Sequence, residues 1–226
     1  MKNILLLTNM IFLLFSCNKK EEETKTVQKT EKEFIEDSFS DIKNETLENW
    51  IAYYKTNVDS TFTIEKFKLT NKSEFSKSQG NIFGIFDKEF NEIYTDFLIY
   101  SPNKQNYVDI DSYQWYLDEE NKTEVLFEID QEINLVNIPT KKIERIGFRG
   151  SQGWIEDAYW KNDSIIVLLE TTVDKIPIIT EMNLHSNESL TFTYQDTLKE
   201  VSDFSKKRIV GKLDNDEMLK QVQHDE

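Results

Sequence analysis

Cysteine is almost absent from this 226-residue chain; the only one is Cys17. A single thiol cannot close a disulfide within the chain, so the fold must rest on its hydrophobic core. Histidine is nearly as scarce, with only His185 and His224. Such a set lacks the ligands of a tetrahedral zinc site and gives little from which to build a nucleophile–base pair. His185 falls in the turn-like stretch His185-Ser186-Asn187-Glu188 and reads as solvent-facing. Basic residues are outnumbered: 27 Lys and Arg stand against 42 Asp and Glu, a formal charge of −15. That charge repels phosphate backbones and argues against a nucleic-acid partner. The sequence contains no G-x-S-x-G, no Walker loop, no dinucleotide fingerprint and no H-E-x-x-H. Neither a metal nor a cofactor is expected. The longest apolar run, Ile4 to Phe15, is broken by Thr8 and Asn9 and falls short of the roughly 20 residues a membrane-spanning helix needs.

That run follows Lys2 and ends on the small residue Ser16, the pattern of an export signal rather than an anchor helix. Leu14-Phe15-Ser16-Cys17 resembles the lipobox of bacterial lipoproteins, with an aliphatic residue three places before the cysteine and a small one directly before it. The resemblance implies that residues 1–16 are a signal peptide, cleaved before Cys17. It also implies that the Cys17 sulfur takes a diacylglyceryl group and that the new amine is acylated. More than one acyl chain is needed, because a single chain holds a protein to a bilayer only marginally. Asn18 stands where an inner-membrane retention signal carries aspartate, so the resemblance points to the outer membrane. Glu21-Glu22-Glu23 is similar to the acidic stretch that sends some lipoproteins to the cell surface, leaving a surface or periplasm-facing position open.

Residues 17–38 form a lipidated cysteine and a polar tether, too poor in apolar residues to fold. Residues 39–198 read as one β-rich domain. It begins with an amphipathic helix from about Glu45 to Lys55, since Leu47, Trp50, Ile51, Tyr54 and Val58 fall on one helical face and Asn44 can cap it. Strands are expected at Phe62–Leu69, Ile82–Phe86, Asp96–Tyr100, Tyr107–Trp115, Glu124–Ile129, Ile133–Ile138 and Ile143–Phe148. Others are expected at Trp154–Trp160, Ser164–Thr172, Ile176–Leu184 and Leu190–Tyr194. No helical pattern intervenes, so the fold class is mainly β, an antiparallel meander folded into a sandwich or barrel-like domain. The charged tail 199–226 reads either as a disordered passenger or as a terminal helix.

Two stretches could carry chemistry. Asp109, Asp111 and Glu120 occupy positions 1, 3 and 12 of a calcium loop, but Tyr113 and Gln114 stand where a ligand and the turn glycine belong. Alternation offers a simpler account, a solvated strand face shared by Tyr107, Asp109, Asp111, Tyr113 and Trp115. The second stretch, FRGSQGWIEDAYW (148–160), supplies Arg149, Trp154, Glu156 and Trp160 as candidate ligand-binding residues. On a regular strand Glu156 and Asp157 point to opposite faces, while Trp154, Glu156 and Trp160 share one. These observations favour a lipid-anchored envelope protein whose β domain binds a protein or glycan without catalysis. A carboxylate-dependent polysaccharide enzyme using Glu156, and a structural part of an outer-membrane assembly, are the alternatives.

Overall fold

The computed structural model describes residues 44–121 and 124–224, with side chains described as far as Asp214. The signal, Cys17 and the tether lie outside the described residues. The described residues are mainly β, with antiparallel strands and no closed barrel among them. Helix α1 spans Glu45–Asn57. The Asn44 side chain accepts from the backbone N–H of Thr46 and of Leu47, at 3.0 and 3.3 Å, and so satisfies two donors the helix cannot. Twelve strands follow: β1 Phe67–Glu74, β2 Ser78–Gln79, β3 Ile99–Tyr100, β4 Asn106–Asp109, β5 Trp115–Leu117, β6 Val125–Phe127, β7 Gln131–Asn137, β8 Lys142–Arg149, β9 Gly153–Asn162, β10 Ile165–Thr172, β11 Pro177–Asn183 and β12 Glu188–Tyr194. Helix α2, Phe204–His224, ends the described chain.

The strands form two five-stranded sheets, ordered β1-β12-β11-β10-β9 and β2-β8-β7-β4-β3, beside the small hairpin β5-β6. Alternation along β10 shows how the layers stack. Ile166 and Leu168 join Ile133 and Leu135 of β7 and Ile146 of β8 in a core between the two sheets. Val167 and Leu169 point the other way, into a second core with Leu47, Trp50 and Tyr54 of α1 and Phe62, Phe67 and Phe192. The result is a β-sandwich with α1 laid across the outer face of one sheet. Trp50, Tyr54, Phe62 and Phe67 are fully buried, and Tyr54 and Phe62 stack at 4.6 Å between ring centres. Each such ring contributes about 1.5–3 kcal/mol by leaving water.

Most turns here manage without glycine. Lys104, Lys141, Lys175 and Asn187 take φ values of 55 to 63°, the left-handed region usually left to Gly or Asn. All four lie in hairpin turns, Lys104 in β3–β4, Lys141 in β7–β8, Lys175 in β10–β11 and Asn187 in β11–β12. That explains how a chain with six glycines closes so many hairpins.

The sequence expectation for residues 107–115 needs correction. The strand stops at Asp109 and the chain turns before β5 begins at Trp115. Asp109 and Asp111 are buried, at 2 and 0 % exposure, rather than lying on a solvated face. Asp109 caps its own turn, accepting from the backbone of Asp111 and Ser112, both at 2.9 Å, and from the Ser112 hydroxyl. Likewise Ile82–Phe86 forms irregular chain and a turn rather than a strand, and residues 92–97 form a short 3-10 helix.

The domain also runs past residue 198. Arg208, only 7 % exposed on α2, clamps Asp111 with two donors at 2.7 and 3.2 Å. Its Nε reaches the Glu156 carbonyl at 2.9 Å. Trp115 Nε1 donates to Asp111 as well, at 3.0 Å. Next to Arg208, Ile209 is fully buried against Tyr94, Phe97 and Trp115. Burial works against the Arg208 charge, but Asp111 and Asp157 outweigh it and hold the guanidinium protonated. Arg208→Met should destabilise the domain by about 3–5 kcal/mol, because Asp111 is left charged and buried without its partner. Adding Asp111→Leu should recover much of that loss. Urea denaturation measures both, and a loss under about 1 kcal/mol for the single variant would contradict the clamp.

Candidate functional site

The four residues nominated from FRGSQGWIEDAYW do not form one site: Arg149 lies on β8, and one of two irregularities in β9 separates the other three. Glu170 pairs with Ile155 and Leu169 with Asp157, so Glu156 is a surplus residue with no partner of its own across the ladder. Such a bulge interrupts alternation and re-aims side chains. Ile155, Ala158 and Trp160 face the second sheet. Glu156 turns outward to α1, and Asp157, opposite outward-facing Leu169, lies within the electrostatic reach of Arg208. The two acids therefore share a face. Trp160 lies on the face opposite Glu156, its indole N–H donating to the Ile99 carbonyl at 2.8 Å. Trp154 lies opposite Thr171, two residues on from Leu169 and on the outward side. Arg149, at the end of β8, pairs with Glu170 at 2.6 Å.

Glu156 is fully buried. Its Oε2 accepts from Tyr54 Oη at 2.6 Å and Trp50 Nε1 at 2.7 Å, while Oε1 has no hydrogen-bond partner. Burial pushes the carboxyl up to about 7, and the Ser202 hydroxyl, Tyr54 and Trp50 pull the other way. Burial also raises the Tyr54 phenol, helped by the adjacent carboxylate. Asp157 is raised by its own burial and restrained by Arg208. A carboxyl with a raised pKa resembles a general acid on chemical grounds. This one sits beneath a helix with no exposed atom to offer a polymer, so its place in the molecule is that of a core group.

One open concave surface lies next to Trp154. A cavity of about 520 Å³ runs between the end of the β5-β6 hairpin, the Gly150-Ser151 turn and the start of α2. Trp154, Phe127 and Ile129 give it an apolar wall, and Ser202, Asp203 and Lys206 a polar rim. Ile129 is 75 % exposed and Phe127 38 %. Gly153 begins the adjoining strand where a Cβ would meet the Thr171 carbonyl oxygen at 2.8 Å, so the backbone there approaches closer than a side chain allows. Of the residues lining this groove, only Trp154 was a candidate from the sequence, and there it was grouped with Glu156 and Trp160. Phe127 and Ile129 carried no signal beyond their strand pattern, and Ser202–Lys206 belonged to a stretch read as tail.

The Glu156 environment sets a pH dependence. In the unfolded chain this carboxyl ionises near 4.5 and in the fold near 7. Between these values the native state keeps a proton that the unfolded state has lost. Its contribution to stability is complete below about 4.5, falls as pH rises through about 7, and amounts to about 3 kcal/mol. Glu156→Gln removes the ionisation and retains an acceptor for Tyr54 and Trp50. The variant should gain about 3 kcal/mol relative to wild type between about pH 4.5 and pH 8, read from urea unfolding at each pH. A difference that stays constant across that range would contradict the burial argument.

No family model, curated protein or solved structure matches this chain.

Proposed function

We propose that this chain is a bacterial lipoprotein, held in the outer membrane through acyl chains on Cys17, whose β domain binds a protein or glycan partner without catalysing a reaction. The observation that carries the proposal is Leu14-Phe15-Ser16-Cys17, in which the only thiol of the chain stands at the end of a short apolar run. The strongly polar stretch after Cys17 fits a tether between membrane and domain. Among the described residues no helix is long and apolar enough to cross a membrane.

The binding part of the proposal draws on the contrast between the two kinds of site. Of the described acids with raised pKa values, Asp109 and Glu156 lie inside the fold among hydrogen bonds that hold it together, and half-buried Asp157 faces the charge of Arg208. The exposed concave surface beside Trp154 is mainly apolar with a polar rim, a composition suited to recognition. An enzyme working through Glu156 would need that carboxyl at the surface, and α1 covers it.

The test uses the native host, with a photo-crosslinking residue placed at Ser151 in the groove. The wild-type chain should incorporate radiolabelled palmitate, and Cys17→Ala should lose the label and leave the membrane fraction. The crosslinker should give a discrete adduct that Trp154→Ala abolishes. An unlabelled wild-type chain would refute the anchor, and absence of any adduct would refute the groove as a partner surface.

A further inference from the structure

The inner face of the first sheet changes character across its width. On β9 and β10 it is apolar where the second sheet covers it, at Ile155, Ala158, Ile166 and Leu168. The register carries the same face onto Thr180 and Met182 of β11, and from there onto Thr191 and Ser189 of β12. These hydroxyl-bearing positions line a cavity of about 380 Å³, closed on its other side by Ile146 and Arg149 of β8. That volume lies at the lower end of ligand pockets, roughly 300–1,000 Å³. The cavity is separate from the Trp154 groove, and its argument does not depend on the membrane anchor.

Its most informative residue is Glu170, 4 % exposed in the cavity wall. Arg149 Nε donates to Oε2 at 2.6 Å, and Oε1 has no hydrogen-bond partner. An unmet buried acceptor costs about 1–3 kcal/mol, so a ligand that supplies a donor there gains what the protein alone forgoes. Arg149 spends Nη1 on the Phe148 carbonyl at 3.0 Å and keeps 31 % of its side chain exposed. The ion pair carries no net charge. An anion or a cation entering the cavity would lose hydration without a net opposite charge to replace it. A neutral molecule with both donors and acceptors meets the site fully. Glu170 takes its donors, Arg149 and the Thr180, Thr191 and Ser189 hydroxyls take its acceptors, and Met182 and Ile146 offer surface to its C–H groups.

We propose that this cavity between β8 and β11–β12 binds a small neutral carbohydrate of one or two sugar units. One hydroxyl donates to Glu170, whose Oε1 is enclosed until the side chain turns toward the ligand, and a neighbouring hydroxyl accepts from Arg149, so the pair reads two adjacent groups on one ring.

Saturation-transfer NMR on the full chain in detergent micelles tests the assignment, with glucose, galactose, N-acetylglucosamine and maltose as probes and glycine as a zwitterionic competitor. Transfer to at least one of the sugars is expected. Glu170→Gln and, separately, Thr180→Val should each weaken it roughly tenfold, the loss of one hydrogen bond in a low-dielectric site. Thr180→Val keeps the shape and strand preference of the residue, so it decides the matter even if Glu170→Gln fails to fold. Absence of transfer to any of the four sugars overturns the proposal. So does transfer that Thr180→Val leaves unchanged, or binding of glycine in preference to the sugars.

Discussion

An extra residue in a β-strand costs a ladder position, and here that cost organises the outer half of the molecule. Because Glu156 has no partner between Ile155 and Asp157, the chain places two acids on the same outward face of β9. Each then requires cover. Helix α1 brings Tyr54 and Trp50 to Glu156, at 2.6 and 2.7 Å. Helix α2 brings Arg208, which reaches the Glu156 carbonyl and the Asp111 carboxylate together. Both helices are thus docked onto the sheet by polar contacts inside an otherwise aromatic core. Removing any one donor would strand a charge or an acceptor away from water, which is more costly than the bond itself is worth.

This arrangement divides the acids of a strongly acidic chain into two populations. Those at the surface keep the protein hydrated and repel anionic partners. The buried ones, Asp109, Asp111, Glu132, Glu156 and Glu170, hold turns, helices and arginine pairs. Of the carboxylate oxygens in this second group, Glu156 Oε1 and Glu170 Oε1 lack a hydrogen-bond partner. They differ in surroundings: the first lies under a helix among rings, the second beside an open cavity with hydroxyls. The same chemical deficit is therefore a stability cost in one place and a recognition element in the other.

Periodicity made the framework legible. The face Leu47-Trp50-Ile51-Tyr54 gave helix α1 and its Asn44 cap, and the β-branched runs from Ile133 onward gave β7 to β12 to within one or two residues. What escaped was everything that depends on breaking a period. One surplus residue reverses which side chains share a face, so Trp154, Glu156 and Trp160 could not be sorted from spacing alone. The strand expected over Tyr107–Trp115 ends early because Asp109 prefers to cap a turn, a local side-chain bond that competes with the ladder. The helix α2 has weak amphipathicity, and its docking depends on Arg208 and Ile209 meeting residues about a hundred positions earlier. The Arg149–Glu170 pair joins two strands of different sheets, a relation no local pattern encodes.

The burial of Glu156 at the β9 bulge is the point on which the docking of both helices turns, and its carboxyl carbon reports on it directly. Titration of that carbon by ¹³C NMR, in the full chain labelled at glutamate, should show a midpoint at about 7. A midpoint at the ordinary 4.5 would mean that water reaches the carboxylate, and that the bulge does not seat α1 and α2 as described.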